Sequence, residues 1–142
     1  MNETIRKFGY PGTLFREFSH WLLLIRPDQV TMGSLVLAAK SEATAFGALQ
    51  AEAFSELGEV VAATERALKG AFKAEKFNYL MLMMVDPHVH FHLIPRYSGP
   101  KTLAGVTIED AGWPGLPELG SAVAADGALI AALKTELGSY FQ

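Results

Sequence analysis

The sequence predicts an α+β domain with an antiparallel sheet of about five strands, one main helix and a C-terminal helix. Three observations carry that expectation. Short apolar runs bounded by Gly, Pro and Asp punctuate the first forty residues and suit strands. From Gln50 to Lys73, apolar residues recur at three- and four-residue steps, the period of an amphipathic helix. Two further apolar runs flank Asp86-Pro87, and the second alternates histidine with apolar residues.

Taken in order, residues 1–10 read as a loosely docked lead-in before the Pro11-Gly12 turn. Thr13 to Phe18 and His20 to Arg26 read as strands. The second contains Trp21-Leu22-Leu23-Leu24-Ile25, a run that suits a strand covered on both faces. Pro27-Asp28 breaks it, and a third strand follows Gly33, from Ser34 through Ala39. Ser41 to Gly47 reads as a short helix. The main helix sets Phe54, Leu57, Val61, Leu68 and Phe72 on one face, with Glu65 and Lys69 four apart in the favourable order. Phe77 to Val85 is the next strand. Asp86-Pro87 then turns the chain tightly into the histidine strand, so the two form an antiparallel hairpin. After Tyr97 the chain is rich in Gly and Pro around Trp113, whose ring covers a pocket or pins the tail to the sheet. A last helix around Ala128 to Leu137 presents Leu129, Ile130, Leu133 and Leu137. One domain over 1–142 is expected, its core about 12–97 and its tail and final helix 98–142.

Composition narrows the function. Of the 142 residues, 50% are hydrophobic and 19% charged, an ordinary globular balance. A net charge of −3 argues against a nucleic-acid partner, which needs a basic footprint. The lack of cysteine excludes disulfides, a thiolate nucleophile and a Cys-based zinc site. The first ten residues lack a signal-peptide core, and no apolar run reaches membrane-span length. The expectation is a soluble cytoplasmic protein without membrane partner, metal or cofactor.

The chemistry concentrates in DPHVHFHLIPRY, Asp86 to Tyr97, which holds His88, His90 and His92 out of four histidines in the chain. Alternation with Val89, Phe91 and Leu93 puts the imidazoles on one face of a strand, the outer two roughly 13 Å apart. Three readings are open. Histidines on a half-exposed strand can simply be hydrated. Two of them can share a metal ion, although the outer pair stands too far apart and no third ligand is evident. The third reading is nucleophilic catalysis at phosphorus, where imidazole attacks, a covalent intermediate forms, and flanking imidazoles stabilise the phosphoryl oxygens.

HVHFHLI, followed by Pro95-Arg96, resembles the signature of the histidine-triad (HIT) family of nucleotide hydrolases and transferases, and the likeness extends over roughly Gly12 to Tyr97. The resemblance implies a two-layer α+β fold, homodimers, and a purine nucleotide derivative as substrate. It implies attack at the α-phosphate, with a phosphoramidate or dinucleoside polyphosphate cleaved through a nucleotidyl-His90 intermediate. His92 would assist at the phosphate and leaving group, and His88 would orient the site. Asn78 matches an asparagine frequent in the family, and Trp21 and Ile25 fall where the nucleoside pocket is lined. Two departures stand out. Ser34 occupies the position of a fourth histidine, and Leu82, Met83 and Met84 with the short Val85-Asp86-Pro87 turn replace a polar phosphate-binding loop. Arg96, Arg26 or Lys101 are the candidates to supply the missing positive charge. The alternative is a nucleotide-binding module whose catalysis is reduced by that lost loop.

Overall fold

The computed structural model describes residues 1–141. Five strands form the main antiparallel sheet: β1 (Leu14–Glu17), β2 (Trp21–Ile25), β4 (Leu35–Ala39), β5 (Lys76–Leu80) and β6 (His90–Arg96), in the order β1-β2-β4-β6-β5. Two small ribbons accompany it. β3 (Asp28–Gln29) pairs with β9 (Val123–Ala124), and β7 (Lys101–Leu103) with β8 (Val106–Ile108). The helices are α1 (Glu3–Lys7), α2 (Ala51–Phe72) and α3 (Gly127–Gly138). The expected α+β architecture is therefore observed.

β2 and β4 are buried along their whole length because both faces of the sheet are covered. On one face, Trp21, Leu23, Ile25, Leu35, Leu37 and Leu93 pack beneath α2 and α3. Each such large side chain contributes about 1.5–3 kcal/mol by leaving water. Gly33 permits this close approach. It sits at φ +86°, and a Cβ there would come within 3.0 Å of Leu68 and 3.3 Å of Phe72. α2 buries Leu68 and Phe72 as expected, but before them it turns Ala53, Val60, Ala63 and Thr64 inward and leaves Phe54 exposed. Small residues let the helix backbone come close enough for the Trp21 indole to donate to the Ala53 carbonyl at 2.8 Å. Glu65 does not pair with Lys69; it accepts the Tyr79 hydroxyl at 2.5 Å.

The other face carries a smaller cluster of Ile5, Leu22, Leu24, Val36 and Ala38. Its cover is the N-terminal segment, which corrects the expected loose lead-in. Asn2 accepts from the Ile5 N–H, capping α1, and its amide donates to the carbonyls of Ala39 and Ser41. A five-residue helix has no stability of its own, so these long-range contacts hold it. No local pattern announces them.

Two other expectations change. Ser41 to Gly47 is not a helix; a single 3-10 turn, Phe46–Ala48, precedes α2. The hairpin of β5 and β6 is antiparallel, with Leu80 opposite His92, but β5 ends at Leu80. Residues 81–89 form a connection in which Met83 adopts φ 50° and Met84 and Val85 are largely exposed. Hydrophobic composition resembled a strand here, yet β5 is the sheet edge and offers this segment one partner at most. The connection before His90 opens with an apolar stretch over 81–85, and it is longer than the tight Val85-Asp86-Pro87 turn expected.

Candidate active site

β6 pairs with β4 in a register that sets His90 opposite Ala38 and His92 opposite Val36. Small and β-branched neighbours leave the imidazoles room above the sheet, on the face opposite α2. The two rings stand 5.1 Å apart, edge to face. His90 is 1% and His92 8% exposed, so both are covered. The cover is Phe8, just after α1, whose ring centroid lies 5.5 Å from His90 and 5.6 Å from His92.

A hydrogen bond fixes one proton of His90. His90 Nδ1 lies 2.7 Å from the His88 carbonyl, which can only accept. Nδ1 therefore carries a proton, and in the neutral ring the lone pair lies on Nε2. His92 Nδ1 receives the Nε–H of Arg26 at 3.2 Å. Burial first, then the charges of Arg26 and His90, push the His92 imidazole down to about 4, against an upward pull from Asp86. His92 is neutral at pH 7.

His88 departs from the expected row of three, since β6 starts at His90 and the Val89 side chain sits in the helix-side core. His88 Nδ1 contacts the Thr4 hydroxyl at 2.9 Å, and Nε2 lies 3.5 Å from Glu42. Its side chain thus ties the N-terminal segment to the site, while its carbonyl orients His90. Lys7 adds a 2.6 Å ion pair to Asp86 across the same junction.

The other sequence candidates divide. Ser34 does not meet the histidines: its Oγ donates to the Thr31 carbonyl at 2.8 Å and accepts the Thr31 N–H at 3.1 Å, within the turn. Trp21 and Ile25 point into the core beneath α2, on the far side of the sheet from His90 and His92, so they do not border the histidines. The alternation along β2 shows why, since Leu22 and Leu24 face the histidine side and their neighbours cannot. Arg96 and Asn78 do share the histidine face. Arg96 is nearly buried and donates two parallel hydrogen bonds to Asp110, at 2.6 and 2.9 Å, and others to Asn78 Oδ1 at 2.7 Å and Gly115 O at 2.9 Å. Burial acts to raise the Asp110 pKa, yet the bonds from Arg96 and the Tyr97 N–H hold it below the usual value. Asn78 and Arg96 line a cavity of about 560 Å³ with Lys76 and Trp113. Lys101 lies over the Tyr97 ring, 5.4 Å from its centroid.

Phe8, Thr4 and Glu42 were not found by sequence reasoning, and no local signal marks them. Arg26 was only one of three candidate cations. Period two from Leu22 and Leu24 would have set it on the histidine face.

A HIT domain model matches residues 11–99, well over half of the chain, and the chain belongs to the HIT family, a superfamily of nucleotide-binding hydrolases and transferases. Solved structures share its fold. A histidine triad protein from Bradyrhizobium japonicum is 20% identical, with a TM-score of 0.75, covering 100% of this chain and 97% of its own. One from Sinorhizobium meliloti 1021 is 19% identical, with a TM-score of 0.76 and coverage of 99% and 96%. A hypothetical histidine triad nucleotide-binding protein from Sulfolobus tokodaii strain 7 is 17% identical, with a TM-score of 0.65 and coverage of 96% and 90%. No curated protein matches the chain. Among the described residues, no helix is long and apolar enough to cross a membrane, and no three His, Cys, Asp or Glu side chains are grouped to hold a metal.

Proposed function

We propose that this protein is a nucleotide hydrolase or nucleotidyl transferase acting at the α-phosphate of a purine nucleotide derivative, a phosphoramidate or a dinucleoside polyphosphate. The observation that carries the reading is the Nδ1 contact of His90 with the His88 carbonyl, which places the lone pair of the neutral ring on Nε2, beside a second imidazole. The Nε2 lone pair forms the N–P bond while the bond to the leaving group breaks with its electron pair. Charge then grows on the non-bridging oxygens, where fixed donors are worth most. Water releases nucleoside monophosphate from the nucleotidyl-His90 intermediate and regenerates the imidazole. Turnover requires Phe8 to move, because it covers the nucleophile.

The test compares wild type and His90→Ala for monophosphate release from adenosine and guanosine phosphoramidates and dinucleoside polyphosphates. Turnover is expected in wild type and absent in the variant. Equal turnover in both would refute the covalent mechanism. A second reading, a nucleotide-binding module with reduced or lost catalysis, draws support from the closed position of Phe8 and from the apolar 81–85 stretch. It predicts purine nucleotide binding with no turnover in wild type.

A homodimer is also proposed. The outer edge of β5 is unpaired in the sheet, and Leu82, Met84 and Val85 are exposed beside it. An open edge with apolar flanks favours pairing with a second copy. Sedimentation equilibrium of wild type and Met84→Asp tests it, with a monomer expected for the variant.

A further inference from the structure

Three cations were candidates to replace the polar residues missing around the histidines, and their placements separate them. Arg96 is neutralised by Asp110, and Lys101 sits over Tyr97. Arg26 alone of the three touches a histidine.

From these contacts we infer that Arg26 is a positioning residue which takes the place of the fourth histidine, holding His92 as a neutral imidazole with its proton on Nε2. Arg26 continues the β2–β4 ladder, its N–H bonded to the Ser34 carbonyl at 3.0 Å, so it is the direct neighbour of the serine that replaces the family's histidine. The small serine, its hydroxyl occupied by Thr31, leaves the histidine face to the guanidinium.

The guanidinium is held on both sides of its reach. Its Nη1 donates to the Asp28 carbonyl at 2.7 Å. The buried Gln29 amide donates to the Arg26 carbonyl at 2.7 Å and to the Ser34 carbonyl at 2.9 Å, while its oxygen accepts the N–H groups of Gly33 and Ser34. A guanidinium only donates and keeps its proton at every relevant pH. The Nδ1 of His92 must therefore accept, and its proton lies on Nε2. In its neutral form His90 takes the opposite tautomer, because its Nδ1 faces a carbonyl. One ring offers a lone pair and its neighbour an N–H.

For His92 this has a chemical consequence, which rests on the function proposed above. A second proton on His92 would have to displace the Arg26 contact. His92 therefore hydrogen-bonds a non-bridging phosphoryl oxygen and retains its proton, and the leaving group is protonated by water. The charged and titratable groups that face His92 are Arg26 from the end of β2, His90 from β6 and Asp86 from the connection before it. Lys7, beside the covering Phe8, is paired to Asp86. Val36 of β4 and Leu80 of β5, its cross-strand neighbours, carry no charge.

Imidazole nitrogen NMR of the resting protein tests the inference without substrate. Wild type should show His92 protonated on Nε2 alone from pH 5 to 8. R26Q should raise the pH at which His92 titrates by a unit or more, and R26K should restore part of the shift. A wild-type His92 protonated on Nδ1, or a titration unchanged in R26Q, would overturn it. If R26Q does not fold, the wild-type tautomer and R26K decide alone. In turnover assays, R26Q should lower kcat about 100-fold with a smaller change in KM. An inactive wild type with the expected NMR result would sink the catalytic reading and leave the Arg26–His92 pairing intact.

Discussion

The two faces of the sheet are built on different rules. Beneath α2 and α3 the face is a continuous apolar layer from Phe15 to Leu137, and its stability comes from area removed from water. The opposite face mixes a five-residue apolar cluster with His90, His92, Arg96 and the end of β2 at Arg26, under a cover one short helix long. Polar groups survive burial there because each has a partner: Arg96 with Asp110, His92 with Arg26, His90 with a carbonyl. The first face is built from apolar side chains alone along its core. The second trades part of its apolar area for oriented nitrogen atoms.

The largest stability effect expected from breaking that contrast lies at the buried ion pair. Asp110→Ala leaves Arg96 charged and unpaired, and should cost about 3–5 kcal/mol in urea unfolding. On the apolar face, Leu68→Ala should cost about 2–5 kcal/mol through its cavity, with the His92 titration unchanged. An altered titration would mean that the two faces are coupled. Phe8→Ala should cost less, about 1–2 kcal/mol, since that ring is only partly buried. It should also speed carbethoxylation of His90 by diethyl pyrocarbonate; an unchanged rate would remove Phe8 as the cover.

A pH dependence sharpens the same contrast. The folded-state pKa of His92 lies below its unfolded value of about 6.5, so the unfolded chain binds more protons between the two. Its stabilising contribution is present above about pH 6.5 and is lost as the pH falls toward 4. Urea midpoints at pH 7 and pH 5 should differ more for wild type than for His92→Gln. The smallest effect is expected for Thr4→Val, about 1 kcal/mol, from the lost bond to His88.

Much of this was legible in the residues. The strands WLLLI and LVLAA and the helix after Gln50 declare themselves by local pattern, and so does the pair His90 and His92 on one face of β6. The misreadings share a cause. FNYLMLMMV looked like one strand, but an edge position ended it at Leu80. Trp21 and Ile25 looked like pocket residues, but the parity of β2 turned them under α2.

By itself the sequence determined the α+β class and the histidine strand, because both follow from periodicities within a few residues of chain. Only the tertiary structure decided that residues 2–8 cover His90, that the His88 carbonyl meets the His90 ring, and that Arg26 meets His92. Those contacts join positions 66 to 84 residues apart for Arg26–His92 and Thr4–His88. Their strength depends on distance and burial, which no local pattern of residues encodes.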